Sequence, residues 1–254
     1  VKDYQWLEWH VGELDVTIEN LTEEWGGLLL TGPEARNVLS QCTQEDLSNN
    51  GFSWLSCKTI KIDSADVFAM RVLYAGELGW ELHMPNWQLI SIYESLFEMG
   101  SPFGLRDFGG LAFNSMRLEK MYRAYGAEFT EEISALEAGM DRFLDLSRNF
   151  IGSDNIKQRQ SDGVKTQLAY LIFDDETPAE CFGNEAVFDG DELSGIITSG
   201  AYGYRVGHSI AFAYLNPSHC SEGKALRVET SLGTRNCHVS LNAAYDNDNE
   251  KLRS

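Results

Sequence analysis

The sequence lacks the features that define several common classes of protein. Its five cysteines are widely spaced and include no C-x-x-C pair, so neither a disulfide framework nor a zinc site is indicated. We expect them to be buried free thiols in a reducing compartment. The five histidines show no metal-ligand spacing either. No apolar run approaches the roughly 18 residues that a membrane-spanning helix needs, which predicts a soluble protein.

The chain also begins without a recognisable leader. Its first residue is Val1 rather than methionine, and neither the basic nor the apolar segment of a signal peptide follows. Residues Lys2 to Val11 have helical spacing and fit a domain whose start lies upstream. We therefore expect this chain to be the C-terminal piece of a longer protein.

Positive charge is scarce. The chain carries 20 Lys and Arg residues against 39 Asp and Glu residues, which gives a formal net charge of −19 and a pI of about 4.5. A field of this sign opposes binding to nucleic acids and to anionic lipid surfaces. Neither class of partner is expected.

What the sequence does contain is enough apolar material for a sizeable core. With 254 residues and 43% hydrophobic content, the chain suits one large or two modest domains. The first part has expected strands at 15–20, 25–30, 59–62 and 66–72 and expected helices at 34–42, 86–99 and 108–121. From Leu168 onward, six short apolar runs predict a small β-barrel or sandwich. We expect the boundary within Gln158 to Lys165 and a frayed tail from Asp246.

The most informative stretch is a turn that carries a tyrosine and two glutamates among typical strand formers. Gly76 and Gly79 bracket this turn, and glycine permits backbone angles or a close ligand approach that other residues resist. Tyr74, Glu77 and Glu81 surround it. Periodicity leaves two interpretations open: a ligand-binding loop, or a β-hairpin whose turn carries a solvated glutamate.

Six segments share their order and spacing with one known family. They are Leu30 to Ala35, Tyr74 to Glu81, Gly104 to Asp107, Ser115 to Lys120, Leu136 to Gly139 and Thr198 to Gly200. On these segments the chain resembles the glycine cleavage T-protein (aminomethyltransferase) family, especially the tetrahydrofolate-binding C-terminal region of dimethylglycine and sarcosine dehydrogenases. The resemblance implies an α+β fold: a clover-like arrangement of α/β domains, truncated at its N-terminus, followed by a small C-terminal β-barrel. It implies a folate-binding region at 1–160 and the barrel at 161–254.

The resemblance also implies a cofactor site. Glu81 matches the glutamate that accepts adjacent N–H donors of the pterin, and Tyr74 matches the tyrosine that flanks the folate. The alternative is a strand pair in which Tyr74 packs and Glu81 is solvated. Arg106 matches an arginine that pairs with a folate carboxylate, and a salt bridge to Asp107 or across a domain interface is an equal alternative. Glu77 is expected to be a turn carboxylate that faces water. No metal site is expected.

Other charged residues in the matching segments have structural interpretations. Arg117 and Glu119 are expected to pair with neighbours on their own helix. Two interpretations of Glu137 stay open: it resembles a family position near the central cleft, and it is equally compatible with an ordinary surface glutamate. Because the acidic chain repels the glutamate tail of folate, the site needs local basic groups, for which the candidates are Arg71, Arg106, Arg117, Lys120 and Arg123.

By resemblance, the activity is tetrahydrofolate-dependent one-carbon transfer. FAD on an upstream domain would oxidise a small N-methylated amine to an iminium, and tetrahydrofolate would capture the carbon as 5,10-methylenetetrahydrofolate. The family's catalytic Asp lies upstream of Val1, so the catalytic residues of this chain are unknown and the fragment is expected to be inactive alone. The alternatives are a non-catalytic folate-binding or scaffold module, a related folate-dependent demethylase, or an aminomethyltransferase served by a lipoyl carrier protein. The implied compartment is the cytoplasm, or the mitochondrial matrix in a eukaryote.

Overall fold

The structure is a computed structural model that describes residues 2–179 and 181–254. It consists of two compact units. Unit 1 comprises Val1–Leu73, Glu77–Asp107 and Lys251–Ser254, and unit 2 comprises Tyr74–Gly76 and Phe108–Glu250. The chain therefore passes between the units at more than one point. The expected division into 1–160 and 161–254 stays a prediction.

Unit 1 contains a four-stranded antiparallel sheet in the order β1-β4-β3-β2. Its elements are α1 (Lys2–His10), β1 (Trp25–Thr31), α2 (Ala35–Cys42), β2 (Cys57–Ile62), β3 (Ala65–Met70), β4 (Gly79–Pro85) and α3 (Asn86–Gly100). The strand expected at 15–20 is wrong, because that alternating segment has no partner strand and stays irregular. Alternating side chains do not by themselves supply the hydrogen-bond partners that the backbone N–H and C=O groups of a strand need.

The core of unit 1 lies between α2, α3 and one face of the sheet. Strand β4 shows the pattern most clearly, because Trp80, Leu82 and Met84 are buried while the residues between them lie on the opposite face. Leu39 of α2 and Ile92 of α3 belong to the same buried cluster. This alternation decides which side chains of β4 are available to a ligand.

The end of the chain is ordered rather than frayed, so that expectation is wrong. A short helix, α6 (Glu250–Arg253), buries Leu252. Arg71 is itself buried in unit 1, and it donates to Phe52 O at 2.7 Å and to Ser254 O at 2.9 Å. Because a buried guanidinium needs acceptors, these contacts stabilise both Arg71 and the terminal segment.

Unit 2 contains a closed six-stranded barrel, which confirms the expected barrel within a mixed α/β chain. Its strands follow the order β10-β5-β8-β7-β6-β9. The elements are α4 (Gly110–Glu119), α5 (Ser153–Asp162), β5 (Gln167–Phe173), β6 (Ala186–Asp189), β7 (Glu192–Gly203), β8 (His208–Leu215), β9 (Ala225–Thr230) and β10 (Gly233–Ser240). Helix α5 was not expected, because it is polar apart from Ile156 and buries only Ser153.

The cysteines and histidines form no special site in the described part of the chain. No group of three or more His, Cys, Asp and Glu residues there could hold a metal ion. Cys42, Cys181 and Cys237 are buried free thiols as expected, but Cys57 is exposed because it points outward from β2. Burial raises the pKa of Cys181 and of Cys237 to about 12. Among residues 2–179 and 181–254, no helix combines the length and apolarity that a membrane span requires.

Candidate functional site

The second face of the unit 1 sheet exposes apolar side chains on β1 and on the adjoining part of β3, while the side toward β2 carries the polar residues Thr59, Lys61 and Asp66. Trp25, Leu29 and Phe68 on this face remain 38%, 42% and 37% exposed. The solvated face of an antiparallel sheet normally carries polar residues. We call this surface the open face and define it by Trp25, Gly27, Leu29, Phe68, Met70, Glu81 and His83.

Glu81 lies in the middle of the open face. In the register of the sheet it stands between Leu29 of β1 and Met70 of β3. Its side chain is 27% exposed, and its Oε2 atom lies 3.3 Å from Nε2 of His83, two residues further along the same face. A carboxylate at the centre of an apolar surface is suited to accept hydrogen bonds from a flat ligand that packs on that surface.

The two glycines of the turn are explained by the packing of the protein itself. A Cβ atom on Gly79 would lie 2.2 Å from the carbonyl oxygen of Leu30. Gly76 has a φ of +72°, and a Cβ there would lie 2.8 Å from Cγ of Lys120. Glu77 is buried because the whole turn is buried, so the expectation of a solvated carboxylate is wrong.

Tyr74 belongs to an aromatic cluster in unit 2. Its ring stacks on Tyr122 with centroids 5.4 Å apart and lies 5.9 Å from the ring of Phe113. Burial raises the pKa of the Tyr74 phenol, so the hydroxyl stays protonated at neutral pH. Within the described residues, this buried hydroxyl has no hydrogen-bond partner. The Tyr74 hydroxyl is therefore available to donate a hydrogen bond to a ligand.

Replacing Tyr74 by Phe is expected to raise the free energy of unfolding by about 1 kcal/mol, because an unpaired buried hydroxyl destabilises the fold. Urea denaturation measures the change. Tyr214→Phe is the matched control, because the Tyr214 hydroxyl donates to Glu128 O at 2.6 Å and its removal should lower stability. If the free energy of unfolding instead falls by about 1 kcal/mol in Tyr74→Phe, the hydroxyl has a hydrogen-bond partner in the protein and this interpretation is contradicted.

Arg106 is exposed and lines a pocket of unit 1. The pocket has a volume of about 510 Å³, and Leu30, Val38 and Phe103 contribute apolar walls. Arg106 Nη1 donates to the adjacent Leu105 O at 2.7 Å. Asp107 accepts a hydrogen bond from Tyr93 at 3.0 Å, and no ion pair of Arg106 occurs among the described side chains. The Arg106–Asp107 salt bridge is therefore not formed.

Arg117 and Glu128 form a buried ion pair in unit 2. Arg117 Nη1 lies 2.8 Å from Oε2 of Glu128, whose side chain is 0% exposed. Glu128 Oε1 accepts hydrogen bonds from Thr198 Oγ1 at 2.8 Å and from Ser199 Oγ. Arg117 Nη2 donates to Ser199 Oγ at 3.0 Å. The ion pair thus joins α4, the loop at residue 128 and strand β7.

This network corrects the interpretation of the charged residues in α4. Arg117 pairs with Glu128, and Glu119 pairs with Arg205, which is 86 residues away in the chain. The expected pairing with helix neighbours is wrong, because both side chains point into the protein, where only distant segments supply partners. Lys120 is also buried and lies 3.1 Å from Asp246 Oδ2.

Glu137 is not a surface residue. It is buried, and its Oε2 atom accepts hydrogen bonds from Ser134 Oγ at 2.7 Å and from Arg159 Nη1 at 2.6 Å. Of the five proposed basic groups, four are occupied by protein partners and Arg106 is exposed; the four are Arg71, Arg117, Lys120 and Arg123, the last of which donates to Ala138 O at 3.0 Å. Among the predicted site residues, Glu81 and Arg106 belong to unit 1 and Tyr74 belongs to unit 2.

Comparison with known proteins gives the family. Residues 1–148 match the GCVT N-terminal domain, and residues 167–246 match the glycine cleavage T-protein C-terminal barrel domain. Human mitochondrial dimethylglycine dehydrogenase is 38% identical over 89% of this chain, which spans 27% of that protein. The aminomethyltransferase of Thermoanaerobacter pseudethanolicus is 30% identical over 89% of this chain, which spans 61% of that enzyme.

A solved structure shows the same fold. The crystal structure of glycine cleavage system aminomethyltransferase T from Bartonella henselae matches with a TM-score of 0.80 at 21% identity. The match covers 94% of this chain and 64% of that one. The chain thus spans only part of the length of the relatives it matches. Because one family model covers residues 1–148 and a second covers the barrel, the chain belongs to the glycine cleavage T-protein family.

Proposed function

We propose that this chain binds tetrahydrofolate and serves one-carbon transfer to it as the C-terminal part of a dimethylglycine or sarcosine dehydrogenase-like enzyme. The observation that carries the proposal is the position of Glu81, a part-buried carboxylate in the middle of the apolar open face. A pterin is flat and aromatic and has adjacent N–H donors. The open face offers it apolar contact together with a carboxylate acceptor.

Each predicted site residue has a distinct role in this proposal. Glu81 accepts hydrogen bonds from the pterin and fixes its orientation. The protonated hydroxyl of Tyr74 donates to the ligand, which gives this buried group the partner that the protein does not supply. Arg106 pairs with a carboxylate of the ligand tail, because it is exposed and lines a pocket with apolar walls.

The bound cofactor supplies two nitrogen atoms, N5 and N10, that accept the one-carbon unit. In this proposal the described residues bind and orient it. None of them is assigned as the general acid or base. The similarity to mitochondrial dimethylglycine dehydrogenases supports FAD chemistry on an upstream domain, a small N-methylated amine as substrate and a matrix location in a eukaryote.

The role of Arg106 distinguishes a folate site from simple packing of a flat ligand. We expect Arg106→Gln to weaken the binding of folinic acid, measured by calorimetry, by about tenfold, because a charged hydrogen bond contributes roughly 1.5 to 3 kcal/mol. Arg148→Gln is the matched control, because Arg148 is an exposed arginine whose side chain reaches Asp145. If the wild-type chain and both variants bind folinic acid with equal affinity, Arg106 does not contact the ligand.

The same titration distinguishes a folate-binding protein from a scaffold module that does not bind folate. Binding only by a chain extended upstream would mean that the additional segment completes the pocket. If neither chain binds folinic acid, the folate proposal fails and a non-catalytic scaffold role remains. Binding without turnover in the extended chain would favour a folate-binding module over an enzyme.

A further inference from the structure

The segment that carries Tyr74 is held by an arginine from the barrel. Arg205 Nη2 donates to the carbonyl oxygen of Ala75 at 3.3 Å and to that of Met116 at 3.0 Å. Ala75 is fully buried, and all these residues belong to unit 2. The backbone next to Tyr74 is therefore tied to helix α4 through a single guanidinium.

Arg205 is in turn fixed by a buried carboxylate. Glu119 is 1% exposed, and its Oε1 accepts the backbone N–H of Arg205 at 2.7 Å while its Oε2 accepts Nε–H. The guanidinium also lies 3.9 Å from the centroid of the Tyr245 ring. Gly203 permits this approach, because a Cβ there would lie 3.1 Å from Oε1 of Glu119. The arginine thus has one defined orientation.

The turn beside Tyr74 depends on a glycine. Gly76 follows Ala75 and has a φ of +72°, a backbone angle that residues with a Cβ resist. Lys120 contacts Gly76 on the other side and is held by Asp246 at 3.1 Å. Holding this segment in one conformation before the ligand arrives reduces the entropy lost on binding.

We propose that Arg205, oriented by Glu119, is a positioning residue of the folate site: it holds the Ala75 carbonyl and thereby presents the Tyr74 side chain to the ligand. The proposal rests on the function proposed above, because it needs Tyr74 to contact folate. The guanidinium donates to the carboxylate of Glu119 through Nε and to two carbonyl oxygens through Nη2, a fixed planar arrangement that an ammonium group cannot reproduce. The barrel thus contributes to ligand affinity through residue 205.

The first test needs no ligand. Hydrogen exchange of backbone amides in residues 72–79 is compared between the wild-type chain and Arg205→Lys. We expect exchange to be about tenfold faster in Arg205→Lys. Arg235→Lys is the matched control, because Arg235 is a barrel arginine that binds the carboxylate of Asp175 and should leave this segment unchanged. Unchanged exchange in Arg205→Lys would overturn the positioning role.

The second test uses folinic acid and a double-mutant cycle. Arg205→Lys is expected to weaken binding about tenfold when Tyr74 is present, and less than about twofold in a Tyr74→Ala background. A purely structural role would give the same loss in both backgrounds, and that result would overturn the inference while leaving the folate site intact. If neither the wild-type chain nor a chain extended upstream binds folinic acid, the proposed function fails, and the exchange comparison alone decides whether Arg205 fixes the segment.

Discussion

Replacing Glu128 by Gln is expected to lower the free energy of unfolding of unit 2 by about 3 to 5 kcal/mol. The wild-type carboxylate accepts hydrogen bonds from Arg117, from the backbone N–H of Ala124 and from two hydroxyl groups. The amide of Gln is neutral, and its nitrogen cannot accept a hydrogen bond. The substitution therefore leaves the buried charge of Arg117 without a counter-charge, which is what makes the breaking of a buried ion pair so costly.

Urea denaturation followed by near-ultraviolet circular dichroism measures this loss. Glu132→Gln is the matched control, because Glu132 is exposed on the same connecting segment and should change the free energy of unfolding by less than about 0.5 kcal/mol. A loss below about 1 kcal/mol in Glu128→Gln would mean that the Arg117–Glu128 pair is not the element that joins α4 to β7.

The largest expected effect on ligand binding comes from Glu81→Gln. We expect the dissociation constant for folinic acid to rise by about tenfold or more, because the variant loses a charged hydrogen bond of roughly 1.5 to 3 kcal/mol. The shape of the open face is retained, so the loss reports the carboxylate and not the packing. Little change in stability is expected, because the Glu81 side chain is partly exposed and its contact with His83 is long, at 3.3 Å.

Glu98→Gln provides the control for this variant. Glu98 is an exposed glutamate on α3 in the same unit, and its substitution removes the same charge from the same acidic surface. If both variants weaken binding equally, the effect is due to net charge. If Glu81→Gln binds folinic acid as tightly as the wild-type chain, Glu81 is not the pterin acceptor.

The regular elements were predictable because their physical cause is local. The alternation of Trp80, Leu82 and Met84 with Glu81 and His83 indicates a strand with one buried face, and β4 has that face. The six barrel strands likewise follow from short apolar runs between turn residues. Helix α5 could not be found in this way, because a helix that buries a single serine has no apolar periodicity.

The supporting residues of the site were not predictable, because their partners are distant in the sequence. Glu128 lies in an irregular segment, and its hydroxyl donors are 70 and 71 residues away. Arg205 meets Glu119 across 86 residues. The local sequence around a residue carries no information on a partner that lies so far along the chain. The family resemblance identified the segments at residues 115–120 and 198–200 but not the buried carboxylate that joins them.

The most direct test of the central claim is an anaerobic calorimetric titration of tetrahydrofolate into the 254-residue chain and into a chain extended upstream. The account predicts saturable binding with a stoichiometry of about one in at least one of them, weakened in Glu81→Gln and unchanged in Glu98→Gln. Heats that do not saturate in either chain would contradict the presence of a folate site in this protein.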